Sequence, residues 1–430
     1  MEPHEKIEKG ATAWPGVAAI AGATFTVVTS ELLPVGLLTP MGRALDTSPG
    51  TAGLALTATG VVAAVTAVPV TALFGRTDRR VVLALLTALV GAGNLVAGLA
   101  PGVGVLMIGR VLVGLGMGGV WAVAASGLAG RLVPAPRVAA ANSVIFGGVA
   151  VASVLGVPSA TYLAEAFGWR APFLAAGALA LLVAGALLVL LPALPAANGV
   201  RAAAMGPVVR DPRIRIRLLA IALLVTGHFA AYTYVRPALE EIAGASAAAV
   251  GALLLLYGLA GVTGNFLSGT VGARSPRRTL AVIGVVIAAG VALLPWLGGT
   301  PLSAGILIGV WGLAYGGVSV TTQNWMAEAG RDADRETVSA VYVGVFNAAI
   351  AAGALIGGLI ADATGLGAVL LMGAALALAA AAGGLPRTAG RAPEQGTRTV
   401  ARGGAEEDGE PAPAARGAEE ETSGPGSASA

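Results

Sequence analysis

Cysteine is absent from all 430 residues. That excludes disulfides, thiolate nucleophiles and Cys-ligated metal sites. Histidine is nearly absent too: His4 and His228 are the whole complement, too few for a His-based metal cluster. Lysine stops at Lys6 and Lys9. Charged residues of both signs make up 11% of the chain, where a soluble domain carries about 25%. The glycine-rich runs neither follow a strand nor end in Gly-Lys-Ser/Thr, so none is a phosphate cradle and ATP is not indicated as an energy source. The sequence therefore points to no enzyme, no cofactor, no metal and no nucleic-acid partner.

What it has is apolar residues, 56% of the total, with a mean hydropathy of +0.81. They fall into twelve segments, near 14–38, 51–74, 81–99, 104–130, 139–163, 171–194, 217–241, 249–272, 280–298, 302–327, 338–361 and 366–385. At roughly 1.5 Å per residue each approaches or exceeds the length that crosses a hydrocarbon core of about 30 Å. The first is too long for a signal-peptide core and no small-residue cleavage site follows it, so it reads as a span. Of the arginines in the connections, fifteen lie in one alternating set, and only Arg43, Arg170 and Arg236 lie in the other. The positive-inside rule then puts both termini in the cytoplasm.

The chain also repeats itself. Arg76, Asp78, Arg79 and Arg80 in one short loop are answered by Arg274, Arg277 and Arg278 in another, 198 residues on (76 to 274). Gly114-Leu115-Gly116-Met117-Gly118-Gly119 is answered by Gly312-Leu313-Ala314-Tyr315-Gly316-Gly317 at the same offset. Glu31 to Pro34 is answered by Tyr234 to Pro237, 203 residues on. Parallel repeats of this kind build secondary transporters whose site lies between the halves near the midplane. The expected organisation is a cytoplasmic N-terminus (1–13), a six-helix bundle (14–194), a Pro- and Arg-containing cytoplasmic linker (195–216), a second bundle (217–385) and a disordered cytoplasmic tail (386–430). The fold class is an all-α membrane protein, twelve transmembrane helices in two pseudo-symmetric six-helix bundles. Abundant Arg, Ala and Gly indicate a high-GC bacterial source and hence a bacterial inner membrane.

Several stretches resemble a known family. Arg110-Val111-Leu112-Val113-Gly114-Leu115-Gly116 is similar to the fourth-span R-x-x-x-G-x-G motif of the major facilitator superfamily. Gly156-Val157-Pro158, with Gly168-Trp169-Arg170 after it, resembles the fifth-span antiporter motif. The stretches from His228 to Tyr234 and from Trp311 to Trp325 look like the seventh and tenth spans of its twelve-span drug:proton antiporter branch. That branch includes sugar-efflux, purine-nucleoside-efflux and chloramphenicol-resistance exporters. The resemblance covers nearly all of 12–385, and it implies export and a cavity-facing Arg110. It departs in the loop between spans two and three, where Gly75 holds the family's Asp position and Asp78 the second Gly position. The family's gate ion pair cannot be carried over unaltered there.

One carboxylate, Glu31, stands inside the first apolar run, three residues before Pro34. A charge at such depth costs about 2.5–3.5 kcal/mol on insertion scales, so it normally faces a polar cavity, often as a proton relay. Burial favours its protonated form and a nearby Arg110 its ionised form, so moving the two apart makes a coupling switch. His228 is a second candidate for the proton, or a satisfied core histidine. Tyr232, Arg236 and Glu240 continue its stripe at four-residue spacing, the last two placed to pair near the outer end. Candidate substrate contacts are Trp121, Asn142, Tyr232, Tyr234, Asn265, Ser319, Gln323, Asn324 and Asn347. Amides and hydroxyls among aromatic rings suit neutral or drug-like ligands, although interhelical hydrogen bonding accounts for a single amide equally well.

The expected function is proton-coupled efflux of a small neutral or drug-like molecule (a drug, sugar or nucleoside) by a monomer in the lipid bilayer. Alternatives are a uniporter or proton symporter for a nutrient, and a transport-inactive membrane sensor.

Overall fold

The computed structural model describes residues 13–74, 77–124, 128–195, 202–272, 275–329 and 335–384. The predicted cytoplasmic N-terminus, apart from Ala13, and the tail from 386 lie outside the described residues. Among those described there is no strand, and sixteen α-helices follow one another. In the first half these are α1 (Trp14–Ala44), α2 (Pro49–Leu73), α3 (Arg79–Gly98), α4 (Val103–Ala124), the single turn α5 (Ala129–Leu132), α6 (Val138–Phe167) and α7 (Arg170–Leu190). The linker contains α8 (Ala202–Arg210). The second half holds α9 (Pro212–Thr233), α10 (Val235–Ile242), α11 (Ala247–Gly272), α12 (Pro276–Leu297), α13 (Pro301–Gly316), α14 (Val318–Ala327), α15 (Arg335–Thr364) and α16 (Leu366–Gly384). Among the described residues, twelve helical spans are long and apolar enough to cross a membrane.

Local chemistry sets the helix ends. Asp78 accepts from the Arg80 amide at 2.8 Å and caps α3, Asp211 does the same for α9, and Thr300 with Ser303 closes a capping box on α13. Two predicted spans are broken. The seventh divides at Tyr234, because Pro237 has no N–H to give the Thr233 carbonyl four residues back. The tenth divides at Gly316-Gly317. The seventh span also begins at Pro212, five residues before its apolar run, since the capped arginine-bearing turn continues the helix.

The packing repeats as the sequence does. In the first half α1 packs on α6 and α7, α4 on α2 and α3, and α3 on α7. In the second half α9 packs on α15 and α16, α13 on α11 and α12, and α12 on α16. Each pair maps onto its counterpart, and the two seams between the halves, α2 on α15 and α6 on α11, exchange under the same operation. The glycines show why the offset is kept. A Cβ on Gly114 or Gly118 would meet the carbonyl of Thr59 or Ala63; on Gly312 or Gly316, that of Tyr257 or Gly261. Both contacts of the first half recur in the second with each residue stepped by 198 (114 to 312, 118 to 316, 59 to 257, 63 to 261). Helices in lipid associate through such close approach of small residues. Gly316→Val, which would drive side-chain carbon into the α11 backbone, is expected to cost about 3 kcal/mol or more. The readout is loss of monodisperse protein in detergent, with Gly344→Ala, where a Cβ meets nothing within 4 Å, as the silent control.

The halves meet along the seams α2–α15 and α6–α11. Their described contacts run from the arginine-poor end (Ser48 and Gly50 with Asp362, Tyr162 with Gly251) to mid-span (Gly60 with Ala351, Val154 with Gly258). One apolar core crosses both halves there, from Leu33, Leu37 and Phe173 to Val235 and Leu254. Toward the arginine-rich end the first half has a separate core of its own, around Ile20, Leu83, Val120 and Leu187.

Candidate functional site

Arg110 organises the first half of the site. It is fully buried on α4, and its guanidinium donates only to backbone carbonyls among the described residues. Nε reaches Ala55 O on α2 at 3.0 Å, and the two terminal nitrogens reach Ser30 O at 2.9 Å and Glu31 O at 3.3 Å on α1. The fork thereby clamps three helices where α1 carries its carboxylate. Thr59 donates to Arg110 O at 3.1 Å, and Asn94 donates to the Ser30 hydroxyl at 2.6 Å.

Glu31 is 7% exposed, and its Oε1 is buried without a hydrogen-bond partner. The predicted neighbours are brought together, yet the contact is to the Glu31 peptide: its carboxylate forms no ion pair with Arg110. The carboxyl is thus left to take a proton or a donor from a ligand. Across the interface, Tyr315 of α13 lies within its electrostatic reach.

Tyr315 leads into an aromatic slab in the second half. It stacks on His228 with ring centroids 3.4 Å apart and planes 7° apart. Tyr232 and Tyr257 lie nearly parallel to it, while Trp311 and Phe229 stand edge-on. The Trp311 indole N–H donates to His228 Nδ1 at 3.0 Å. An indole only donates, so Nδ1 must accept, and the ring proton sits on Nε2, 3.5 Å from the Tyr257 hydroxyl. Farther along, the Thr322 and Tyr342 hydroxyls pair at 2.9 Å.

The other predicted residues scatter around this centre. Tyr232 belongs to the slab. Tyr234 does not; its hydroxyl donates to Ala354 O at 2.9 Å beside Gly53 and Gly358, at the arginine-poor seam. Trp121 is half-buried against the first half's own core. Asn142 is exposed on α6, Asn265 half-buried on α11, and Ser319, Gln323 and Asn324 exposed on α14. Asn347 is buried, its amide turned back to Val343 O at 2.9 Å. Gly156 and Pro158 are buried where α6 meets α1. Arg236 and Glu240 pair at 2.9 Å, and Arg236 also donates to Gly36 O of the opposite half.

Of the loop residues, Arg76 and Arg274 lie outside the described residues, and Arg277 and Arg278 are exposed. Asp78 accepts from the Leu194 amide at 3.0 Å as well as from its own helix, so its carboxylate staples α3 to the segment that follows α7. Arg79 is buried, and its backbone N–H donates to Leu194 O at 2.9 Å.

Sequence reasoning missed Ser30, Asn94, Tyr257 and Tyr342 as members of the site, and met Tyr315 only as part of a repeat. Scarcity was the available signal: the chain has six tyrosines, and five lie in the second half.

Comparison with known proteins agrees with this architecture. A family model described as Major Facilitator Superfamily matches residues 19–347 and 237–416. Transcription regulatory protein OpdE of Pseudomonas aeruginosa is 36% identical over 86% of this chain and 92% of its own. The purine ribonucleoside efflux pump NepI of Salmonella paratyphi A is 34% identical over 82% of this chain and 88% of its own. A bacterial homologue of the human lysosomal transporter Spinster, in an inward-facing and occupied conformation, superposes with a TM-score of 0.72 at 16% identity, covering 86% of this chain and 95% of that one. At that identity the likeness concerns the fold alone.

Proposed function

Since the chain belongs to the major facilitator superfamily, a family of small-molecule transporters and not of enzymes, we propose that it is a proton-coupled exporter working by alternating access. The observation that carries this reading is the Glu31 carboxyl: buried in the first span, one oxygen unpartnered, beside a clamped cation. An inert scaffold would fill that place with an apolar side chain, because an unsatisfied buried polar atom costs about 1–3 kcal/mol. In the proposed cycle Glu31 carries the proton, and movement of the halves changes its distance from Arg110. The arginine-rich end faces the cytoplasm, both termini lie there, and the structure is then the inward-open state. The domains are the two bundles joined by the 195–216 linker, and the working unit is a monomer in the bacterial inner membrane.

The substrate is a small neutral molecule bearing a ring. The parallel stack of His228, Tyr232, Tyr257 and Tyr315 supports this, because flat heteroaromatics stack on such faces. The nucleoside pump among the relatives supports a nucleoside as the first ligand to try. A second reading, a transport-inactive sensor, is favoured by one observation: another relative carries the name of a transcription regulatory protein.

Uptake of labelled purine nucleosides into everted vesicles, with and without a proton gradient, tests these readings. Accumulation that collapses with a protonophore supports the exporter, equilibration indifferent to the gradient supports a uniporter, and no flux across a wider panel of sugars and drugs supports the sensor. Gln323, exposed on α14, gives a further test. Gln323→Ala is expected to alter the ranking of substrates severalfold while leaving proton flux per substrate unchanged; equal loss of both would mark it as structural.

A further inference from the structure

The 198-residue repeat allows the two seams between the halves to be compared residue by residue, and they differ. At the α2–α15 seam, Asp362 reaches across to the start of α2. Its Oδ2 accepts from the Ser48 hydroxyl at 2.7 Å and its Oδ1 from the Gly50 amide at 2.9 Å. A helix start has free N–H groups and a partial positive charge, so a carboxylate from the opposite half acts there as a cap supplied in trans. Beside it the Tyr234 hydroxyl fits where neither Gly53 nor Gly358 has a side chain.

At the α6–α11 seam the corresponding groups are present but not joined. Ser246 takes the place of Ser48 at the 198-residue offset, and Glu165, 197 residues before Asp362, takes that of Asp362 when both are counted from the glycine that ends the helix. Each acid stands three residues ahead of the positive-φ glycine that ends its helix, Gly168 or Gly365. Ser246 caps α11 locally, receiving the Ala249 amide at 3.3 Å, while Glu165 is exposed and makes no hydrogen bond or ion pair among the described residues. Across this seam Tyr162 donates weakly to Ala248 O at 3.4 Å.

We propose that Asp362 is a one-sided latch: its bond to the first turn of α2 holds the arginine-poor end shut, and opening of that end requires the bond to break while the Glu165 seam opens without such a penalty. The Arg236 bond to Gly36 O lies at the same end and adds to the closed state. This inference rests on the alternating-access reading.

The test uses the full chain, whose lack of cysteine leaves no labelling background. Spin labels on Ala44→Cys and Glu241→Cys, both exposed, report the distance across the arginine-poor end by pulsed electron paramagnetic resonance. Asp362→Ala is expected to raise the long-distance population about fivefold, the factor that losing a typical cap produces. Asp362→Asn keeps one acceptor and is expected to give a smaller rise, and it serves if the alanine variant is not monodisperse. Ser48→Ala should add little in the Asp362→Ala background, and Glu165→Ala should leave the distribution unchanged. An unchanged distribution in Asp362→Ala, or an equal rise in Glu165→Ala, overturns the latch. If neither parent nor variants ever show a second distance, alternating access itself fails, and the latch with it.

Discussion

Glu31→Gln is expected to abolish gradient-driven export while leaving a folded protein that still binds ligand. The change is nearly isosteric, and Oε1 has no hydrogen bond to lose, so stability should move by less than about 1 kcal/mol. The effect on function should be of a different order. A carboxamide cannot load and release a proton, so substrate would only equilibrate. One proton moving through about 100 mV supplies roughly 2.3 kcal/mol, which sustains about a fiftyfold gradient of a neutral solute. That gradient is the quantity expected to vanish in everted vesicles, while equilibrium binding of the same solute persists. Pumping at the parental rate would place the proton elsewhere, and His228 would be the next group to test. It is a constrained one: Nδ1 already accepts from Trp311, so a second proton would displace that bond. Trp311→Phe would then be required to change the pH profile of transport.

The architecture was legible because it is written at short range and twice. Each span is a continuous apolar run, and the arginine loops and glycine runs recur at one offset that the backbone contacts of Gly114, Gly118, Gly312 and Gly316 later explain. Glu31 stood out because a lone acid among apolar residues needs no neighbour to be noticed. What could not be read were contacts between distant helices. Asn94 meets Ser30 across 64 residues and Trp311 meets His228 across 83, and no periodicity within either helix encodes that meeting. Tyr234 illustrates the converse. The repeat set it opposite Glu31, but the two alignments differ by five residues (203 against 198), and that slip is more than one helical turn. The ring therefore sits at the arginine-poor seam with Ala354, away from the slab. Asp362 and Glu165 would have looked like ordinary exposed acids near helix ends in any sequence.

Substitutions at Arg110 are expected to invert the usual ranking of conservative and drastic changes. Three carbonyls on two helices, Ala55 O, Ser30 O and Glu31 O, receive the guanidinium at 2.9–3.3 Å. Lysine would keep the positive charge but offers a single point of attachment, so it can reach one or two of these acceptors and still suffers the cost of a buried cation. Each hydrogen bond from a charged donor contributes about 1.5–3 kcal/mol, so Arg110→Lys is expected to lose about 3 kcal/mol of stability. Arg110→Leu gives up all three bonds, yet it also removes the charge whose burial they offset, and a buried apolar side chain suits the site. Its net loss should be smaller, about 1–2 kcal/mol. Thermal unfolding in detergent should therefore rank parent above leucine above lysine. Export should be lost in both, for different reasons: the leucine variant has no cation to favour release of the Glu31 proton, and the lysine variant loosens the join between α1, α2 and α4. A lysine variant more stable than the leucine variant would mean that water enters beside Arg110 and shares its charge. The carboxyl of Glu31 would then be in contact with solvent in this state, and its proton would exchange without any movement of the halves.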